Sequence, residues 1–437
     1  MYSPNKDEPF LPRIPYQDGG GVQLDAPRLQ GSDHAPVDII VIGGGVTGLS
    51  LALHAREAGA RVVVLETHHI GWGSSGRNGG HVPPATKLEP EELIRRYGPD
   101  RGTRLIDAVA SGPDLLSDLA RKHGIDAEFV RSGVITAACT PDAVDRLRKR
   151  TEFWQAKGVA LPFLDRAESA RVIGTTRYLG SSLDPRGATV NPLAFVRGLA
   201  KAATEAGVLI YERSPAISYD RRGTKWRVST PEGALTGDMV AICTNSYSDS
   251  LVPELGTSIV PIRAYQYLTE PLPKSALDTI LPGRQGLTDT RRLMAGLRIH
   301  SSGGLLFTAL GDPFGPISKP NAVYARRRIT RLFPQLAEVK FNYWWIGWMA
   351  FNRENEWKMH ELAPGLVSAM GCNGRGFPIG LLLGRELARY FQGATQADLI
   401  LPFVPVERIP MFDYHAPLVR ALAGYYRVRD ALDDMIY

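Results

Sequence analysis

The chain has 437 residues, 44% hydrophobic and 22% charged, the balance of a soluble globular protein with length for two domains or one large interleaved unit. No run reaches the ~18 apolar residues of a membrane span, and the opening MYSPNKDEPFLPRIPYQ lacks the apolar stretch of a signal peptide. The net charge of +6 draws on basic clusters at 146–150 (RLRKR) and 326–328 (RRR); neither is interleaved with aromatics, so solvated helix faces are expected and not a nucleic-acid surface.

In chain order, residues 1–36 hold Pro4, Pro9, Pro12, Pro15, Pro27 and Pro36 with a Gly19–Gly21 triplet. They read as an extended arm, neither helix nor strand. DIIVI (38–42) is a continuous apolar run, as in a strand buried on both faces. VTGLSLALHAREA (46–58) has helical periodicity and stops at Gly59, and RVVVLE (61–66) is a second buried strand. Together they form a β-α-β unit. Further helices are expected at 141–157, 192–206 and 378–391. Strands are expected at 207–212, 225–230, 239–244, 303–310, 342–351 and 365–370.

Gly43, Gly45 and Gly48 make G-x-G-x-x-G between the first strand and its helix. That context, with Glu66 ending the next strand, points to a bound dinucleotide. Gly43 permits the tight turn, Gly45 the close approach of a pyrophosphate, and Gly48 the packing of helix on strand. Val46 and Thr47 open the helix, whose free N–H groups favour phosphate. Glu66, followed by Thr67, suits ribose hydroxyls and repels a 2′-phosphate, which disfavours NADP. Five residues beyond Glu66 lies GWGSSGRNGG (71–80), half of it glycine. A flat flavin needs backbone contact along its edge, and Gly73, Ser74, Ser75, Arg77, Asn78, Gly79 and Gly80 supply it; a nicotinamide site needs no such second loop.

Cys139, Cys243 and Cys372 are far apart and odd in number, which speaks against a disulfide framework or thiolate metal site and for a reducing, cytoplasmic setting. The histidines show no H-x-x-x-H spacing, so no metal is expected.

VIGGGVTGLSLALHAREAG, VVVLE and GWGSSGRNGGHV together resemble the FAD-dependent D-amino-acid-oxidase-like family. They are most similar to its γ-glutamylputrescine-oxidase and L-pipecolate-oxidase-like branch. The likeness continues through TVNPLAFVRGLAKAATEAGVLIYE (189–212), CTNSYS (243–248) and GCNGRGFPIGLLLGRELA (371–388). The resemblance implies that Ser75, Arg77, Asn78 and Gly79 border flavin and pyrophosphate. It places the backbone of Ala216 at the adenine and Thr244 and Asn245 near the pyrophosphate. Gly371, Asn373, Gly374, Arg375, Gly376 and Phe377 fall at the flavin's pyrimidine edge, with Pro378 in the first turn of a helix whose positive end faces it. Relatives that tether FAD use a His in the SGRNGG-type loop or a Cys on the strand matching WWIGWMA. Arg77 and Gly347 stand there, so a dissociable FAD is expected.

The resemblance implies an α/β fold in which a Rossmann-type FAD domain is interleaved with a second domain built on an antiparallel sheet. The expected order is arm 1–36, FAD domain 37–115, second domain 116–187, FAD domain 188–250, second domain 251–350, and FAD domain with C-terminal tail 351–437. It also implies oxidation of a C–N bond in a small amine or amino-acid-like substrate by hydride transfer to flavin N5. The imine is then hydrolysed, with hydrogen peroxide formed if oxygen is the electron acceptor. Two departures from the pattern keep a dehydrogenase or biosynthetic tailoring enzyme on a non-amine substrate open. Pro378 stands where relatives place a carboxylate-binding Lys, and Leu306 falls near the Lys that some use for oxygen. Arg292, Arg298 and Arg375 are therefore candidates for a substrate anion, and an acceptor other than oxygen is expected to compete. Trp345 is a candidate wall of the substrate site, with Trp344 and Trp348 then pointing into the core, and core packing of Trp345 is the alternative; His81 is a candidate for the reactive face, with a satisfied structural histidine the favoured alternative. A nucleic-acid-associated flavoprotein is a second alternative, resting only on the basic balance.

Overall fold

A computed structural model describes residues 13–19, 21–32, 34–248, 251–310 and 322–437. The first dozen residues of the expected arm lie outside this set.

The apolar runs assemble first. Val37–Ile42 pairs in parallel with Val62–Leu65 on one side and with Ala234–Ile242 on the other. Leu209–Tyr211 and Leu366–Met370 extend the parallel sheet, and Lys358–Ala363 closes one edge antiparallel. The innermost strands are buried on both faces, which is why they read as unbroken apolar runs. Ser218–Arg222 and Lys225–Ser229 form an antiparallel flap on the first half of Ala234–Ile242.

Helix Val46–Glu57 crosses helix Phe377–Phe391 at a seam of small residues. A Cβ on Gly384 would lie 2.4 Å from the Thr47 carbonyl oxygen, and one on Gly380 2.8 Å from Val46 Cγ1. Ser50 pins the crossing by donating to the Leu381 carbonyl at 2.7 Å. This close contact sets the start of the C-terminal helix beside the first glycine loop, although more than 300 residues separate them.

The second sheet has eight strands. Its order is Phe341–Phe351, Val260–Pro271, Gly304–Leu310, Ala295–Ile299, Gly286–Asp289, Val134–Ala138, Gly180–Asp184 and Phe163–Leu164. All pairings are antiparallel except that of Gly286–Asp289 with Val134–Ala138. It carries its own apolar cluster, centred on Ile135, Leu297 and Phe307.

Several elements escaped the sequence reading. Helices Pro90–Ala110 and Gly112–Lys122 were not expected. Gly98, at φ 77°, and Pro99 break the periodicity of the first. Strand Lys358–Ala363 is an edge strand with few apolar residues to mark it. In the arm, Pro15–Gln17 is one turn of 3-10 helix, not extended chain, and Ile14 and Tyr16 are fully buried. Beyond it, Ala26 and Leu29 donate backbone N–H groups to Glu212 and Ser214. Both basic clusters make contacts within the molecule. Arg148 stacks on Phe163, Arg150 pairs with Glu89, and Arg328 pairs with Asp289.

Candidate active site

The first glycine loop closes against its neighbours with no room for side chains. Gly43 has φ 108°, and a Cβ on it would lie 2.8 Å from the Cys243 carbonyl oxygen. A Cβ on Gly48 would meet the Gly43 carbonyl oxygen at 2.1 Å. Glu66 accepts from the Gly44 N–H at 2.8 Å and from the His68 N–H at 2.9 Å. Burial raises its pKa, partly offset by those bonds. Ser75 joins the two glycine loops: its hydroxyl accepts from the Val46 N–H at 3.0 Å, at the start of helix Val46–Glu57.

The second loop is held from behind. Its only regular turn is Ser74–Arg77. Asn78 braces it, donating to the Ser75 carbonyl at 2.9 Å and accepting from the Gly80 N–H at 2.9 Å. Three consecutive carbonyls are then taken by side chains from three distant segments. Trp345 Nε1 donates to Arg77 O at 2.8 Å, the Tyr16 hydroxyl to Asn78 O at 3.0 Å, and Arg298 Nε to Gly79 O at 2.7 Å. Arg298 Nη2 also donates to the Tyr16 oxygen and to Val190 O, each at 3.3 Å. In a trans peptide the N–H points opposite to the C=O. The Gly79 N–H is thereby turned from Tyr16 toward the cavity that Gly79 lines. Arg77 is fully buried, with its guanidinium 4.5 Å from the centre of the Trp72 ring.

The third loop, 371–376, has left-handed residues at Gly371, Asn373 and Gly374. Asn373 turns away from the cavity, donating to Gly371 O at 2.6 Å and accepting from the Asn352 N–H at 3.0 Å. Asn245 accepts from the Gly371 N–H at 3.0 Å and so ties this loop to the strand end at Thr244. Arg375 lines the cavity. Burial, then nearby Arg150, lowers its pKa to about 10, and it remains a cation at neutral pH. Its guanidinium makes no hydrogen bond or ion pair with a described residue. Cys372 is buried beside it and free.

These loops wall one cavity of about 1610 Å³, solvent mouth included. Gly43, Gly45, Val46, Thr47, Glu66, Thr67, Gly73, Ser74, Ser75, Arg77, Asn78, Gly79, Thr244, Asn245, Gly374, Arg375, Gly376, Phe377, Pro378 and His81 all lie on its wall. Gly48, Gly80, Gly371 and Asn373 shape the loops from behind. Ala216 is not on the wall; it packs on the apolar core.

The substrate side differs from the sequence reading at five residues. Arg292 is not at the cavity: it pairs with Asp430 at 3.2 Å and Asp433 at 2.5 Å on the helix His415–Ile436. Arg298 is buried behind the second loop, where it donates to Gly79 O, Val190 O and the Tyr16 oxygen. Trp345 is likewise a buttress, packed edge-on against Tyr16 at 5.5 Å. The wall residue is Trp348, under which Arg263 stacks at 4.9 Å, and Trp344 lies at the surface. Gly347 and Met349, on the same strand face as Trp345, do line the cavity; Trp345 lies further along, behind the second loop.

The second sheet brings Gln266, Thr308, Gly296 and Met294 to the wall. None of these was expected; isolated polar residues on strands carry no sequence signal. Thr308 donates to Gln266 Oε1 at 2.5 Å. His81 Nε2 lies 3.1 Å from Leu297 O, and a carbonyl only accepts, so Nε2 carries the proton and Nδ1 is the lone-pair side. A Cβ on Gly79 would lie 3.2 Å from that Nδ1. Burial, reinforced by Arg298 and Arg375, lowers the His81 pKa to about 4. Lys87, also missed, sits over the Phe351 ring at 4.5 Å, and burial and Arg375 lower its pKa to about 8.

The cavity fits a flavin dinucleotide. Two of its wall residues, His68 and Trp72, stack with ring centroids 3.8 Å apart, and His68 Nε2 and Trp72 Nε1 are buried without a partner among the described residues. A ligand rich in acceptors satisfies both. Glycines stand wherever a Cβ would obstruct the wall, as at Gly45, 3.0 Å from Ser75 Oγ.

Comparison with known proteins agrees. Residues 38–390 match the family model described as FAD dependent oxidoreductase (DAO). The gamma-glutamylputrescine oxidoreductase of Escherichia coli (strain K12) is 29% identical over 410 residues, covering 90% of this chain and 93% of that protein. The probable oxidoreductase OrdL of Rhizobium meliloti (strain 1021) is 27% identical over 411 residues, covering 92% and 94%. Among solved structures, glycine oxidase from Geobacillus kaustophilus superposes with a TM-score of 0.73 at 19% identity, over 86% of this chain and 100% of that one. The fold, the three-loop cavity and these matches lead to one conclusion: the chain belongs to the DAO family of FAD-dependent oxidoreductases and is an FAD enzyme.

Proposed function

We propose that the enzyme oxidises a C–N bond of a small amine that also carries an anionic group, with FAD held non-covalently. The chemistry that FAD supplies when bound is two-electron acceptance from a carbon beside nitrogen. The relative named gamma-glutamylputrescine oxidoreductase supports an amine substrate.

The observation that carries the reading is the state of His81. Its proton is committed to Leu297, and its depressed pKa keeps it neutral at working pH. Nδ1 is then a fixed acceptor beside Gly79 and Thr308. An acceptor there orients the N–H of a neutral amine. It is too weak a base to strip an ammonium, so the substrate enters as the free amine. Two cations, Arg298 behind the loop and Arg375 on the wall, favour that neutral form by repelling an ammonium. Arg375, with no carboxylate partner among the described residues, is the group that holds a substrate anion.

Anaerobic mixing of the FAD-loaded enzyme with amines, amino acids and hydroxy acids tests the reading. Amines bearing a carboxylate should bleach the visible flavin band. Bleaching by hydroxy acids and by no amine overturns it in favour of a non-amine substrate.

A further inference from the structure

The helix His415–Ile436 lies on the surface with its chemistry inverted. A surface helix ordinarily turns its apolar stripe inward. Here the inward face carries acids. Asp430 and Asp433 pair with Arg292, and Asp434 pairs with Arg291 and Arg331. Asp430 also accepts from the backbone N–H groups of Arg292 and Leu293 at 3.2 and 3.0 Å. These contacts fix the rotation of the helix, so the outward face is a property of the fold.

That outward face is a seam. Leu418, Ala421, Tyr425, Val428, Leu432 and Met435 follow one another at alternating spacings of three and four. This is the pattern of a two-helix coiled-coil contact. Ten large apolar residues from Met411 to Tyr437 are 42–73% exposed. Five of them lie on the seam and five flank it; together they offer on the order of 800 Å², the share that one partner brings to a standard interface. Monomers rarely leave such a patch open.

We propose that the occupant is a second copy of this chain, packed antiparallel through the same helix about a two-fold axis. The seam is complementary to itself in that direction only. Antiparallel pairing sets Leu418 against Met435, small Ala421 against Leu432, and Tyr425 against Val428. Parallel pairing would set Tyr425 on Tyr425 and leave a gap at Ala421. In a two-fold contact each pair occurs twice, as self-complementarity requires.

The test uses the full FAD-loaded chain. Light scattering at micromolar concentration should give twice the mass of one chain. Leu418→Lys and Met435→Glu should each weaken the dimer about a hundredfold, because each charge is buried twice. Flavin absorbance and melting of the monomer should not change. Mixing the two variants should restore a dimer, since Lys then faces Glu at one contact and the native pair remains at the other. A monomeric parent chain, or variants that keep the parent mass, overturns the proposal. Binding of the parent chain to anionic vesicles, lost in both variants without any dimer, overturns it in favour of a lipid surface. Variants that dissociate but do not re-form a dimer when mixed overturn the antiparallel register.

Discussion

Tyr16→Phe removes one oxygen from the residue that joins the arm to the second glycine loop. The ring keeps its place, because Trp345 and His300 pack against it at 5.5 and 5.7 Å. Two hydrogen bonds go. Asn78 O loses its donor at 3.0 Å, and Arg298 loses one acceptor at 3.3 Å while retaining Gly79 O and Val190 O. A buried carbonyl left without a donor costs about 1–3 kcal/mol. The freed carbonyl regains a partner only if the peptide turns, which withdraws the Gly79 N–H from the cavity. Part of the cost therefore falls on FAD binding, and the FAD Kd should rise about tenfold, or about 1.4 kcal/mol. Quenching of flavin fluorescence on titration into apoprotein measures it. The apo and holo melting temperatures separate positioning from bulk stability: the holo form should lose more. An unchanged Kd with equal losses in both forms would refute the reasoning and make Tyr16 ordinary packing.

Other outcomes follow from the same geometry. Gly48→Ala drives a Cβ to 2.1 Å from Gly43 O and should yield colourless protein, whereas Gly347→Ala, with its nearest contact at 3.6 Å, should bind FAD as before. Arg375→Ala should raise KM for a carboxylate-bearing amine ten- to a hundredfold, the loss of about 1.5–3 kcal/mol from a charged hydrogen bond. Arg292→Ala should leave KM unchanged and lower the melting temperature; equal effects on KM sink the assignment. His68, His81 and His300 have folded pKa values lowered to about 4 from 6.5, first of all by burial. The neutral form is the folded one, so stability is full above pH 6.5 and lost as pH falls toward 4, by up to about 3 kcal/mol for His81 and by less for His68 and His300, whose desolvation is less complete. Urea unfolding that is flat across this window contradicts it. Acid precipitation should leave the yellow colour in the supernatant; colour in the pellet means a covalent flavin.

How much of this was legible before any coordinates depended on range. The dinucleotide unit was readable because its parts are consecutive. A strand, a turn, a helix and an acid within 30 residues follow local rules, and Gly43, Gly45, Gly48 and Glu66 lie where spacing placed them. The loops at 71–80 and 371–376 were readable for a related reason. Backbone that approaches a ligand closely must be glycine, and glycine is visible in a sequence. Arg292 and Arg298 were not separable on that evidence. Both are arginines near one strand, and only packing shows that one meets an aspartate helix and the other the back of a loop.

By itself the sequence determined the cofactor, the doubly covered parallel strands and the three loops that line the cavity, because each rests on contacts close along the chain or on the absence of a side chain. Only the tertiary structure decided which residues face the cavity and which stand behind. His81, Thr308 and Met294 reach the cavity, while Tyr16, Arg298 and Trp345 hold the loop from its far side. Those roles depend on which side of a fold a side chain emerges from, and that is set by contacts between segments hundreds of residues apart.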